Sequence, residues 1–341
     1  SLGAIFLSRG YVSLDSLRGL AAWSVTLPHF FLFSGVESAA LEFVTIFAVE
    51  VFFILSGFVL GGQLDMCAER RDWSTLKTFY LRRWYRTLPV FFVVLLLLSA
   101  LNGNLFTLRF FEYSTFTTTW VSIPGTNEYF VPAWSLAVEE WFYFLFPPAL
   151  ILVVRLGVSR HVGLLALFVL FAALKLNVVL EDPGYVEDLR RITCLRLDSI
   201  CVGYALHLVV KRHGDRFLHR HEFLYVLTIV MTAASFIAYA GQTPLLFIYA
   251  SNIAAAAVLL SFLASERHFA CSAVVSRLTA FAAHTSYSTY LCHLFLYQVI
   301  AALPIPGVPM QLCLYVVGVV GFSTLSFYLL ERPFLAIRPH Y

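Results

Sequence analysis

Apolar residues in this chain run in long, nearly unbroken blocks. They show neither the alternation of a half-buried strand nor the one-sided stripe of a soluble amphipathic helix. Proline, glycine and charged residues collect between the blocks. A helix crossing about 30 Å of hydrocarbon needs about 20 mostly apolar residues. Ten blocks approach that length: 17–34, 43–62, 86–102, 133–154, 162–180, 192–210, 222–240, 245–264, 279–302 and 309–330. Most connections are short, and two are long, 63–85 and 103–132. No internal repeat or low-complexity segment stands out. The pattern predicts an all-α polytopic membrane protein of about ten transmembrane helices, arranged as a single domain over residues 1–341.

Composition agrees with the pattern. The 341 residues are 60% hydrophobic and 13% charged, with 33 Phe and a mean hydropathy of +0.81. Soluble domains run about 45–50% apolar and about 25% charged, so a soluble multidomain enzyme is excluded. The six cysteines (Cys67, Cys194, Cys201, Cys271, Cys292 and Cys313) have no metal-ligand spacing and no paired framework. Neither a disulfide nor a metal is expected. The first apolar run carries Arg18 and His29 and lacks a small-x-small cleavage site, so no cleavable signal is expected.

Net charge is only +3, but its distribution is informative. The N-terminal stretch holds Arg9 and Arg18. Alternate connections, together with the C-terminus, hold Arg70, Arg71, Lys77, Arg82, Arg83 and Arg86, then Arg155 and Arg160, Lys211, Arg212, Arg216 and Arg220, Arg267 and Arg277, and Arg332 and Arg338. The intervening connections hold only Arg109, Arg190 and Arg191. The positive-inside rule then places both termini in the cytoplasm.

Ionisable residues remain inside the blocks: His29, Glu50, Glu139, Glu140, Lys175, Arg196, Asp198 and His293. A rise of about 1.5 Å per residue puts His29 about 16 Å above Arg18, near mid-membrane. Counted the same way, all eight fall at mid-depth or in the outer half. Ionisable groups at that depth face cavities or pair with one another. The stratum therefore predicts a hydrated chamber open toward the outer face. Each member also has a structural reading as a buried ion pair, Arg196 with Glu139 for example. His293 shares a helix face with Ser286 and Tyr290, spaced four and three residues apart along the chain, and that face reads equally as a helix–helix hydrogen-bond cluster.

At the basic edge, Arg83 and Arg86 are three residues apart at the start of the third block and share a face. Their guanidinium groups, together with a helix N-terminus, suit phosphate. An interfacial anchor explains the same residues without a ligand. Trp134, Trp141 and Tyr143 suit a sugar face, whereas Trp120 and Tyr129 read as an interfacial belt.

Seven pieces in order resemble the acyltransferase-3 family of integral-membrane acyltransferases along nearly the whole chain. They are Leu14-Asp15-Ser16-Leu17-Arg18-Gly19-Leu20-Ala21-Ala22 followed by His29; Val51-Phe52-Phe53-Ile54-Leu55-Ser56-Gly57-Phe58; Arg83-Trp84-Tyr85-Arg86 with Pro89; Pro132 to Tyr143; Arg196-Leu197-Asp198 with Gly203; Ser286 to His293; and Glu331-Arg332-Pro333. The resemblance implies transfer of an acyl group, usually acetyl, from cytoplasmic acyl-CoA (acetyl-CoA) to a hydroxyl of a sugar or glycolipid at the outer leaflet. It implies His29 as the catalytic residue, with Arg18 and the Arg83/Arg86 pair matching the family's basic positions. Some members carry an extra esterase-like domain after the last span. None is expected here, where the tenth block ends about ten residues before Tyr341.

These readings combine into one expectation. His29, neutral near pH 7 with an unperturbed pKa near 6.5, takes the proton from an acceptor hydroxyl as the hydroxyl attacks the thioester. An acyl-His29 intermediate is left open. Glu139, Glu140 or Glu50 orients the ring, Arg18 steadies negative charge, and Arg83 and Arg86 bind the donor. Trp134, Glu50, Arg196, Asp198, Ser286, Tyr290 and His293 line the substrate site. The partners expected are a carbohydrate or glycolipid acceptor and membrane lipid, with no nucleic acid. A homo-oligomer is left open, and the location expected is a bacterial cytoplasmic (inner) membrane. The alternative is a proton-coupled transporter or flippase, since mid-membrane relays also suit pumps. Against it, the chain has no paired broken helices.

Overall fold

A computed structural model describes residues 11–120, 128–181, 189–270 and 273–341. Arg9 and Cys271 lie outside the described residues, as does the side chain of Arg216. All regular structure among the described residues is helical. Ten long helices dominate: α1 (Val12–Phe33), α2 (Ala39–Arg70), α3 (Trp73–Leu101), α5 (Ala133–Arg155), α6 (Arg160–Glu181), α7 (Thr193–Leu218), α8 (His221–Ala240), α9 (Pro244–Ala264), α11 (Ala273–Ala301) and α12 (Val308–Ser326). Two short helices, α4 (Leu108–Ser114) and α10 (Glu266–Ala270), lie in connections. After α12 a π-helical turn, Phe327–Glu331, leads into α13 (Arg332–Ile337).

Eight of the long helices are long and apolar enough to cross a membrane, and the protein is an all-α polytopic membrane protein. The two that fall short on apolarity are α1 and α11, which serine, threonine, tyrosine and histidine dilute. They pack against each other and carry His29 and His293.

The expected long connection 63–85 is mostly helix. α2 continues to Arg70 and α3 starts at Trp73. Arg71 makes the turn in a left-handed conformation (φ 55°). Asp72 then caps α3, accepting from the Thr75 amide at 2.8 Å and its hydroxyl at 2.9 Å. The Asp72 carboxyl is held below the usual carboxylate range by those two hydrogen bonds. Polar residues continue a helix past the apolar block at little cost, which is why the block understated its length. Pro89 and the Pro147-Pro148 pair lie inside continuous α3 and α5.

α2 is the central helix and packs on α1, α7, α9, α5 and α3. Its contact with α7 is backbone to backbone. A Cβ added at Gly57 would sit 2.0 Å from the Ile200 carbonyl oxygen, and one at Gly203 would sit 2.1 Å from the Ile54 oxygen. Two motif glycines are thus explained by close approach. α6, α8 and α12 lie at the periphery with most of their apolar surface outward, as lipid-facing helices do.

Candidate active site

His29 follows Pro28 in the last two turns of α1, and His293 lies in the last third of α11. Their rings are nearly parallel (2°) with centroids 5.1 Å apart. His29 Nδ1 is 3.1 Å from His293 Nε2, and His293 Nδ1 is 2.6 Å from the Tyr290 carbonyl oxygen. A carbonyl can only accept, so His293 Nδ1 carries the hydrogen. In a neutral ring its Nε2 then offers a lone pair, and His29 Nδ1–H must donate to it. That leaves the Nε2 lone pair of His29 free, as a general base requires. Phe33 stacks on His29 with centroids 5.0 Å apart and fixes the ring from the α1 side. His293 is wholly buried, and His29 is the partly open member of the pair.

This pair replaces the orienting carboxylate expected from sequence. Glu50, Glu139 and Glu140 all have other partners. Arg196 Nη2 donates to both Glu50 oxygens at 2.5 Å, so the expected Arg196–Glu139 pairing is not formed. Ser56 and Tyr143 donate to Glu139 at 3.0 and 2.9 Å. Thr87 donates to Glu140 at 2.7 Å. Lys175 pairs with Asp198 at 2.6 Å beside the Glu50–Arg196 pair. Glu50, Arg196, Asp198 and Lys175 are all at most 4% exposed at the side chain. Such pairs hold helices in register and are costly to break one-sidedly. The single polar stratum therefore divides: Glu50, Arg196, Asp198 and Lys175 pair with one another, and none of the four lines either of the two cavities below.

Two cavities share Val49 and Tyr290 in their walls, and His29 lines one of them. The one at the basic end has a volume of about 830 Å³ and is lined by Arg18, Arg83, Arg86, Glu139, Tyr143 and Ser286, among others. Three guanidinium groups face one carboxylate there, and Arg83 Nε is buried with no hydrogen-bond partner. The arrangement suits a polyanion such as a diphosphate. Arg83 lies about three turns beyond the start of α3, so free helix-terminal amides do not contribute, contrary to the sequence reading. Ser286 turns its hydroxyl back to the Ala283 carbonyl at 2.7 Å. Tyr143, expected at a sugar face, belongs to this basic cavity instead. Trp141 donates to the Phe116 carbonyl and packs on Trp120, and Tyr129 is buried against Tyr113, so these three serve packing.

The cavity at the other end has a volume of about 2120 Å³ and is lined by His29, Phe33, Trp134, Glu42, Arg190 and Arg191, among others. Arg191 is paired with Glu128, and Tyr239 donates to Glu42 at 2.6 Å. Trp134 borders this cavity, is 6% exposed, and meets Phe53 edge-on with ring centroids 5.9 Å apart. Sequence reasoning did not place Glu42, Arg190, Arg191 or Ser135 at a cavity: Arg190 and Arg191 counted only as topology signals, and Glu42 and Ser135 lie near block ends, where polar residues are ordinary.

An acyltransferase domain family model, acyltransferase-3, matches residues 11–329. The peptidoglycan O-acetyltransferase OatA of Listeria monocytogenes is 28% identical over 166 residues, covering 43% of this chain and 25% of that protein. The putative peptidoglycan O-acetyltransferase YrhL of Bacillus subtilis is 27% identical over 252 residues, 64% of this chain and 38% of that protein. The acyltransferase MdmB of Streptomyces mycarofaciens is 32% identical over 165 residues, 43% of this chain and 41% of that protein. The chain thus spans well under two thirds of the length of these three relatives. No solved structure matches. With residues 11–329 matched, the transporter reading is set aside, and the chain belongs to the acyltransferase-3 family of membrane acyltransferases.

Proposed function

We propose that this protein moves an acyl group, acetyl in the first instance, from acyl-CoA bound in the basic cavity to a hydroxyl of a cell-surface or lipid-linked carbohydrate in the larger cavity, with His29 as general base. The basic end faces the cytoplasm of a bacterial inner membrane, in keeping with the positive-inside bias. The observation that carries the reading is the hydrogen-bond chain from the Tyr290 carbonyl through His293 to His29. It leaves one unencumbered imidazole nitrogen at the margin of the acceptor cavity.

The chemistry follows from that geometry. His29 Nε2 takes the acceptor O–H proton as the oxygen attacks the thioester carbonyl. The C–O bond forms, the C–S bond breaks, and the proton passes from His29 to the departing thiolate. His293 keeps Nδ1–H of His29 engaged, so only Nε2 is basic. General-base transfer is worth about 10²–10⁴ in rate. Arg18, Arg83 and Arg86 hold the donor phosphates, and Trp134 provides the sugar platform. Peptidoglycan glycan is the first acceptor to test, because two of the relatives are named for it.

The test uses purified protein in lipid nanodiscs with radiolabelled acetyl-CoA and peptidoglycan fragments. His29→Ala should lower transfer by at least about 10² while its melting temperature and elution profile stay close to wild type. Undiminished transfer by that variant would remove His29 from the reaction.

A further inference from the structure

We propose that the Tyr290 side chain is the partition between the donor and acceptor cavities, and that it must swing aside for the thioester to reach His29. The proposal rests on the transfer reading above and adds a positioning residue to it. Two residues, Val49 from α2 and Tyr290 from α11, line both cavities. Val49 is a short, stiff side chain on the central helix. Tyr290 is the large one, and its ring is 7% exposed.

The ring is latched at the boundary. Its hydroxyl is 2.7 Å from Ser135 Oγ, which lines the donor cavity. It also lies 3.4 Å from the Pro132 carbonyl, which belongs to the acceptor cavity. Phe52 meets the ring edge-on at 5.8 Å. The backbone of the same residue has a separate task, since its carbonyl accepts from His293 Nδ1. A tyrosine ring turns about its side-chain torsions without moving its carbonyl. The partition can therefore open while the histidine chain stays set.

A closed partition keeps acceptor-side water from the thioester. Without it, water replaces the acceptor hydroxyl at the same carbonyl. The C–S bond then breaks, a C–O bond forms to water oxygen, and free carboxylic acid and CoA thiol leave together. Loss of the partition thus has a signature that mere loss of packing lacks: thiol release without ester formation.

The experiment measures thiol release and ester formation in nanodiscs, using acetyl-CoA with and without peptidoglycan fragments as the acceptor probe. Wild type should release little thiol without acceptor and about one ester per thiol with it. Tyr290→Ala should raise acceptor-independent release roughly tenfold or more and pull the ester-to-thiol ratio well below one. Tyr290→Phe and Ser135→Ala, which keep the ring and remove only the latch, should both raise acceptor-independent release by a smaller factor, about two- to fivefold. They carry the test if the alanine variant at Tyr290 does not fold. Wild-type transfer with coupling unchanged in the latch variants overturns the partition alone. A wild-type protein that forms no ester from acetyl-CoA overturns the transfer reading itself.

Discussion

His29 and His293 present four ring nitrogens between them, and three are engaged in the hydrogen-bond chain that ends on the Tyr290 carbonyl. On the proposed mechanism His293 is a positioning residue that acts through His29. Replacing it with alanine should lower kcat by about 10², the usual cost of losing orientation at a reacting group. KM for the donor should hold, because the arginines proposed to bind the donor lie in the other cavity. Steady-state kinetics separates the two parameters, and a raised KM at constant kcat would mean that His293 acts on binding. His29 was legible in the sequence because an imidazole at that depth is costly. Its partner was not. Spacing put His293 on a face with Ser286 and Tyr290, but a contact across 264 residues is a property of packing. The carboxylates were misassigned for the same reason: depth marks a candidate, and only neighbours show that Glu50 is bound by Arg196 and Glu140 by Thr87.

At the scale of helices, the apolar blocks located the long elements and misjudged their ends. Hydrophobicity measures what sits in hydrocarbon, whereas a helix stops where caps and turns stop it. Asp72 with its Thr75 bonds and Arg71 at φ 55° mark the true α2–α3 corner. The glycine motifs were visible as letters, and their reason was not. Gly57 and Gly203 let α2 and α7 touch through their backbones. Gly57→Ala should force the pair apart and destabilise the protein by about 1–3 kcal/mol. Thermal unfolding in detergent checks this, and an unchanged melting temperature would show that the α2–α7 contact yields easily.

At the scale of the whole molecule, basic residues gather in alternate connections, and the cavity proposed for the donor is lined by three of them, Arg18, Arg83 and Arg86. Arg83→Ala combined with Arg86→Ala should weaken acetyl-CoA binding by roughly 10- to 100-fold, as expected for losing charge-assisted hydrogen bonds. Titration calorimetry at two salt concentrations is the check. Donor affinity unchanged in that variant would leave the pair as topology signals only. The alternation of basic connections made this polarity readable from the sequence. The division of the interior into two cavities was not readable, since it depends on which side chains meet at Tyr290.

The distance along the chain between the two histidines also has a consequence in time. His293 emerges 264 residues after His29. At about 5–20 residues per second, that is a wait of roughly 13–53 s. For most of it α1, less apolar than the eight membrane-crossing helices, has only α2 among its main packing partners, since α9, α10 and α11 are made later. The base acquires its tautomer when α11 docks, so a nascent chain carries the imidazole long before it carries a working one.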